Sequence, residues 1–197
     1  MRIRSIHVTR DLGLHTRCNS PIVDVEITND IFASGGRRYE EMDICCIGIM
    51  AGDQITQIHR EPNSTDISQY KARAVPYLNR HRTMYAFNRE FEYFGLRAYL
   101  KLNSLRIEEI EPFKGRGWTK DRFFEELVGD RQVTEKMPPD PFHGKGALVM
   151  PNWAKGNIEN ILNHNVVCLL KEHYILSHRE YLLRKYAHRV DAAGWYH

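Results

Sequence analysis

The first half of the chain contains short stretches in which apolar residues alternate with polar ones or run together, as in β-strands. Asp43 to Met50 is apolar on both faces, which predicts a central strand. Ala51 to Gln54 predicts a hairpin turn that joins this strand to the next one. The predicted strands are residues 2–9, 21–28, 43–50, 55–59 and 83–87.

Further along the chain, apolar residues recur three or four positions apart, which predicts helices. Ser64 to Arg80 opens on capping residues and contains Pro76, which predicts a kink or a helix end there. Residues 106–119 are predicted as a loop, and residues 129–156, rich in proline and glycine, as an irregular segment. The other predicted helices are residues 90–102, 120–128 and 157–186, the last with a break near 176–178.

This order of elements predicts an α/β fold. Three strands that begin with a hairpin form an antiparallel group, and a helix crossover then leads to a parallel strand. We therefore expect one mixed sheet with flanking helices. The chain is interpreted as one domain, residues 1–197, with the irregular segment 129–156 and a helical, basic C-terminal extension at 177–197.

Composition excludes few functions. The chain has 197 residues and a formal net charge of +3, which permits a polyanionic partner without requiring one. Its apolar runs are too short to span a bilayer, and no signal-peptide core follows Met1, so no membrane partner is expected. The four cysteines match no zinc-binding spacing and predict reduced thiols in a cytoplasmic protein.

Two carboxylates stand two residues apart in the strand at 21–28, where side chains alternate between the two faces of a sheet. Asp24 and Glu26 therefore share one face, while Val23, Val25 and Ile27 point to the other. If the carboxylate face is buried, their repulsion and desolvation favour a bound divalent cation. The alternative is a strand with one solvated face, where acidic residues cost nothing.

Two further segments carry candidate chemistry. Asn88 to Glu92 lies where the fourth main strand meets its helix, which places a carboxylate at a strand end or simply in an acidic first turn. In the late helix, His164, Cys168 and Glu172 recur every four residues and share a face. His164 is a candidate general base or metal ligand, or an ordinary helix histidine.

These segments together resemble the three motifs of DnaQ-like (DEDD) 3′–5′ exonucleases of the ribonuclease-H-like superfamily. The resemblance is closest to the stand-alone group related to the proofreading exonuclease of family-B DNA polymerases, and it covers residues 20–176. It implies a ribonuclease-H-like sheet in which the first three strands are antiparallel and a parallel strand follows. The motifs are Asp24-x-Glu26, Asn88-x-x-Phe91-Glu92 and His164-Asn165.

The resemblance implies a metal-dependent nuclease that hydrolyses phosphodiester bonds in single-stranded DNA or RNA from the 3′ end. Two Mg²⁺ or Mn²⁺ ions about 4 Å apart would clamp the scissile phosphate. The implied metal ligands are Asp24, Glu26, Glu92 and Glu172; His164 orients or deprotonates the attacking water; Asn88, Phe91 and Asn165 bind substrate.

The sequence departs from the family at its last motif, where Cys168 stands in place of a metal-binding Asp. Mg²⁺ prefers hard oxygen ligands over sulfur. Three explanations stay open. Glu172 replaces the missing Asp as a metal ligand, a nearby histidine binds a softer metal such as Mn²⁺, or one of the two metal sites does not function. The last of these predicts a catalytically impaired nucleic-acid-binding or scaffold protein.

If the motif matches are chance, Asp24 and Glu92 should lie far apart. Two basic and aromatic segments are further candidates for holding a nucleic-acid strand, or are ordinary solvated surface. They span residues 114–120 and 178–189. The apolar late helix and the Trp195-Tyr196 tail could support a homodimer.

Overall fold

The structure, a computed structural model, describes residues 1–31, 38–62, 64, 67–112 and 118–187. Within these residues the strands form one six-stranded sheet in the order β1-β4-β3-β2-β5-β6. The strands are β1 Arg2–His7, β2 Ile22–Ile27, β3 Ile44–Ala51, β4 Gln54–His59, β5 Met84–Ala86 and β6 Ile107–Glu109.

The sheet is mixed, which confirms the predicted α/β architecture. Strands β1, β4, β3 and β2 pair antiparallel in that order, while β5 runs parallel to β2 and β6 runs parallel to β5. As predicted, β3 is central, and a hairpin turn with Gly52 at φ 56° joins it to β4. Strand β6 falls in the predicted loop at 106–119, because a three-residue edge strand has too few positions to show a period.

The helices are α1 Ile67–Leu78, α2 Arg89–Leu100, α3 Lys120–Gly129, α4 Val149–Ala154, α5 Ile158–Ser177 and α6 Arg179–Lys185. The break expected near residues 176–178 separates α5 from α6. The segment 129–156 is not irregular throughout, since a turn of 3₁₀-helix at Gly146–Leu148 leads into α4. A six-residue helix that contains Pro151 gives little periodic signal in the sequence.

Apolar residues fill both sides of the sheet. On one side, Val23 and Val25 of β2 pack in the same core as Leu96 of α2. On the other side, Ile22 packs in the same core as Leu169 of α5. Helix α5 therefore covers the face of β2 that carries Asp24 and Glu26, and this arrangement determines the environment of both carboxylates.

The apolar surface expected to support a homodimer is used inside the chain. Most of α5 is buried, including its apolar positions from Ile161 to Ile175. The Trp195-Tyr196 tail lies outside the described residues.

The described part of the basic segment 178–189 packs against α3. Lys185 pairs with Glu126 and Asp130 at 2.9 and 2.5 Å, and Tyr181 donates a hydrogen bond to Asp130. These contacts occupy side chains that were expected to face a nucleic-acid strand; residues 188 and 189 lie outside the described part. No helix in the described ranges is both long enough and apolar enough to cross a membrane.

Candidate active site

Asp24 and Glu26 are buried side by side beneath α5. Their relative exposures are 5% and 6%, so the alternative of a solvated strand face is wrong. Burial, followed by the negative charge of Asp24, raises the pKa of Glu26 well above its usual value. Two like charges in this environment make a cation favourable at the site.

Asn165 holds the two carboxylates in place. Its amide Nδ2 donates to Asp24 Oδ2 at 2.8 Å and approaches Glu26 Oε1 at 3.5 Å, while its Oδ1 accepts from Gln57 Nε2 at 2.9 Å. Asn165 is fully buried. The structure therefore places this predicted substrate-binding residue behind the carboxylates, where it orients them.

Helix α5 comes this close because β3 carries a glycine opposite Asn165. A Cβ atom built on Gly48 would lie 2.1 Å from Asn165 Oδ1 and 2.8 Å from Leu169 Cδ1. Gly48 pairs with Asp24 across the antiparallel strands. The absence of a side chain at this position thus brings Asn165 within reach of both strands.

Glu92 approaches the same cluster from the first turn of α2. It is 4% exposed, and its Oε2 has no hydrogen-bond donor among the described residues. Burial and then the charges of Glu172 and Asp24 raise the pKa of Glu92 well above its usual value. Asp24 and Glu92 line one cavity, which is the opposite of what a chance match of motifs predicts.

The other residues of that motif differ in their positions. Phe91 is half-buried and lines the cavity. Asn88 is exposed at the N-terminal boundary of α2, and it does not line the cavity.

A lysine ammonium lies within the carboxylate cluster. Lys120 Nζ is 3.0 Å from Asp24 Oδ1 and also pairs with Glu172 Oε1. Burial opposes the charged form, but Asp24, Cys168 and Glu172 outweigh it and raise the pKa of Lys120 well above its usual value. The position between Asp24 and Glu172 is therefore occupied by a monovalent cation that belongs to the chain.

Glu172 is fully buried and reaches the cluster through Lys120. Burial, opposed by Lys120 and reinforced by Asp24, raises the pKa of Glu172 to about 8. The carboxylate does not itself line the cavity. Glu172 therefore contacts the chain's own cation, not the open space where a substrate would lie.

The ring of His164 contacts Asp140, which lies in the segment before α4. Its Nδ1 is 2.8 Å from Asp140 Oδ1, and its Nε2 is 3.7 Å from Cys168 Sγ. Burial works against the charged Asp140, but backbone N–H groups of Phe142 and Gly144 and the His164 ring lower its pKa. A charged Asp140 favours the tautomer with the proton on Nδ1, so Nε2, which faces Cys168, is the ring nitrogen that can act as a ligand or base.

Cys168 is half-buried and lies beside Glu26 and His164. The loss of hydration at its thiol raises the pKa of that group. These three residues each offer one donor atom, and the three atoms lie within 4.8 Å of one another. The cavity that they border has a volume of about 420 Å³. Of the predicted site residues, it is lined by Asp24, Glu26, Phe91, Glu92 and His164.

Sequence reasoning missed Asp140 and the position of Lys120. The sequence shows Lys120 as the end of the basic segment 114–120 and the start of a predicted helix, and neither feature indicates a position among buried carboxylates. Residues 114–117 of that segment lie outside the described residues. Asp140 precedes Pro141 and accepts hydrogen bonds from the N–H groups of Phe142 and Gly144, both at 2.8 Å. An Asp-Pro pair signals a turn, but the sequence does not indicate that this turn faces His164.

No family model, curated protein or solved structure matches this chain. The resemblance to DnaQ-like exonucleases therefore stays a prediction that rests on the motif residues and on how the chain arranges them.

Proposed function

We propose that this protein is a metal-dependent nuclease that hydrolyses phosphodiester bonds. The observation that supports this proposal best is the convergence of Asp24, Glu26 and Glu92 from two separate elements at one cavity. The resemblance to DnaQ-like enzymes adds the ribonuclease-H-like fold and the more specific expectation of a 3′–5′ exonuclease on single-stranded DNA or RNA.

The charge balance of the cluster supports a bound cation. Four buried carboxylates meet here, and Lys120 is the ammonium that pairs with two of them. The pKa values of Glu26, Glu92 and Glu172 are all raised, because these groups lose hydration and repel neighbouring carboxylates. A divalent cation would offset the excess negative charge that Lys120 leaves.

The residues fit one such cation better than two Mg²⁺ or Mn²⁺ ions. Lys120 already lies between Asp24 and Glu172, and Cys168 is a poor ligand for a hard ion. Glu26, with His164 and Cys168 beside it, is the part of the cluster that could hold an ion. A metal bound there would act as a Lewis acid on a phosphate oxygen or on water.

The residues that line the cavity suit a phosphodiester substrate. Lys120 pairs with Asp24 and Glu172 and also lines the cavity, so its ammonium group would attract a phosphate bound there. Phe91 offers an aromatic ring at the cavity wall on which a terminal base can pack. Glu92 lines the same cavity, and its raised pKa suits a group that exchanges a proton with water there.

The experiment is degradation of end-labelled single-stranded DNA and RNA by the purified protein in Mg²⁺, Mn²⁺, Zn²⁺ or Co²⁺. We expect metal-dependent laddering from the 3′ end, and a loss of about 100-fold or more in the Glu26→Gln and Glu92→Gln variants. Glu159→Gln, which changes an exposed glutamate of α5, is the matched control and should cleave normally. Absence of cleavage with every metal would overturn the proposal.

One observation favours a second function, that of a catalytically impaired nucleic-acid-binding or scaffold protein. Lys120 pairs with Asp24 and so supplies the positive charge that a catalytic metal would supply to this carboxylate. This alternative predicts that the protein retains labelled single strands in a mobility-shift assay, without cleavage. Cleavage that is abolished by Glu26→Gln would exclude it.

A further inference from the structure

We propose that Glu26, His164 and Cys168 form a site for one borderline-soft divalent cation of the Zn²⁺ or Co²⁺ class. The donor atoms are a carboxylate oxygen, a ring nitrogen and a thiol sulfur, which lie within 4.8 Å of one another. The proposal deepens the proposed function by naming the cation, and it rests on that function only for what the ion does.

The spacing of the donor atoms suits a tetrahedral ion. Zinc–ligand bonds of about 2.0–2.3 Å at tetrahedral angles place neighbouring donors about 3.3–3.6 Å apart. Cys168 Sγ and His164 Nε2 are 3.7 Å apart, since they occupy positions i and i+4 on α5. Small side-chain adjustments would therefore close the site without moving the backbone of the helix.

His164 is presented as a metal-binding histidine is in zinc proteins. Such histidines commonly donate their second ring N–H to a carboxylate, which fixes the tautomer and makes the first nitrogen a better ligand. Asp140 Oδ1 lies 2.8 Å from Nδ1, while Nε2 faces Cys168. Asp140 is in turn held by the N–H groups of Phe142 and Gly144, so this support is built into the turn itself.

The chemistry of the donors selects the metal. Sulfur and imidazole ligands favour Zn²⁺ and Co²⁺, whereas Mg²⁺ requires oxygen ligands. Asp24 is engaged on Oδ1 by Lys120 and on Oδ2 by Asn165, so we leave it out of the ligand set. Three protein ligands then leave a fourth position toward the cavity, as in catalytic zinc sites. Cys168 would bind as the thiolate and Glu26 as the carboxylate, and each would release the proton that it holds to solvent.

The test is a titration of the chelator-treated protein with Co²⁺ in the absence of nucleic acid. We expect one equivalent to bind, with a thiolate-to-cobalt charge-transfer band in the near ultraviolet and tetrahedral bands in the visible range. Zn²⁺ should abolish both sets of bands by displacement, and Mg²⁺ should not. A wild-type protein that shows no charge-transfer band would overturn the proposal.

Variants locate the site. Cys168→Ser should remove the charge-transfer band, and Glu26→Gln and His164→Gln should each weaken Co²⁺ binding by about tenfold or more. Cys18→Ser changes a half-buried cysteine outside the group and should leave the spectrum unchanged. Persistence of the band in Cys168→Ser, or its loss in Cys18→Ser, would contradict the assignment.

A further variant shows whether the loss of the band comes from the ligand change or from misfolding. Cys168→Asp supplies a hard oxygen, so we expect it to fold, to lose the charge-transfer band and to bind Mg²⁺ more tightly than the wild type does. If the protein binds Co²⁺ but cleaves no strand, the proposed nuclease function is wrong and the proposed metal site stands. If the protein cleaves a strand in Mg²⁺ but binds no Co²⁺, the proposed metal site is wrong and the proposed nuclease function stands.

Discussion

The buried carboxylate cluster has two halves that are neutralised in different ways. In one half, Asp24 and Glu172 meet Lys120, an ammonium supplied by α3. In the other half, Glu26 faces His164 and Cys168, neither of which carries a fixed positive charge. The first half is an internal ion-pair network. In the second half, no lysine or arginine of the described residues forms an ion pair with Glu26.

The difference shows how one strand can combine structural and chemical tasks. Asp24 and Glu26 are two residues apart on one face of β2, yet Lys120 reaches only the first within ion-pair distance. The lysine ties three elements together, since it joins α3 to β2 and α5. We therefore expect the Lys120 half to govern folding and the Glu26 half to govern ion binding.

The largest effect should come from removing the internal cation. Lys120→Met leaves Asp24 and Glu172 buried without their partner, and breaking a buried pair in this way costs about 3–5 kcal/mol. We expect that loss in the free energy of unfolding, measured by urea denaturation at pH 9, where Glu172 is ionised in the wild type. The control is Lys185→Met, which breaks a more exposed pair and should cost about 0–1 kcal/mol.

A double variant shows whether the loss arises from charge. Lys120→Met combined with Glu172→Gln removes one of the stranded carboxylates and should recover part of the stability. Equal losses in Lys120→Met and Lys185→Met would contradict the view that Lys120 acts as a structural cation.

The second effect is a dependence of stability on pH. The folded-state pKa of Glu172 lies at about 8, above its ordinary 4.5, and the pKa values of Glu26 and Glu92 are also raised. The folded protein thus holds protons that the unfolded chain has released. These groups stabilise the fold fully below about pH 4.5 and lose that contribution as the pH rises toward 8.

We expect the metal-free protein to lose about 2–4 kcal/mol of stability between pH 5 and pH 8, relative to a Glu26→Gln/Glu172→Gln variant. The comparison with this variant is needed because burial lowers the pKa of His173 to about 4, which acts in the opposite direction. Urea denaturation at several pH values measures the difference. Parallel curves for the two proteins would show that these carboxylates titrate normally.

The third effect tests the close contact between β3 and α5 that holds both halves together. In Gly48→Ala the new Cβ would meet Asn165 and Leu169, so we expect a loss of about 1–3 kcal/mol from overpacking. Gly129→Ala is the control, because no atom lies within 4 Å of its Cβ position and alanine favours the helix. Thermal unfolding of both variants checks the prediction, which fails if their melting temperatures shift alike.

The two halves also differ in how far the sequence reveals them. The alternation in β2 predicts that Asp24 and Glu26 share a face, and spacing on α5 predicts that His164, Cys168 and Glu172 share another. Both predictions concern residues close together in the chain, where backbone geometry fixes the side-chain directions. The burial of the carboxylates depended on which helix covers β2, and periodicity alone does not settle that.

The supporting residues could not be predicted for a related reason. Lys120 is 96 residues from Asp24, and Asp140 is 24 residues from His164, so no local pattern links either pair. Asn165 was expected to bind substrate, but the side chain of a helix residue can face a strand or a cavity according to how the helix is rotated. Gly48, on a third element, permits the observed rotation, since its lack of a side chain leaves room for Asn165.

The smallest effect distinguishes the Glu26 half from the rest of the cavity. Asp140→Asn keeps the size of the side chain but removes the negative charge that supports His164, so Co²⁺ affinity should fall by about tenfold. That change corresponds to about 1.4 kcal/mol in binding free energy. The control is Asp121→Asn, which alters a carboxylate of the same cavity that pairs with Lys171. If Asp140 acts through His164, the Asp121 variant keeps its cobalt affinity. Equal losses would mean that both aspartates act only through the overall negative charge of the cavity.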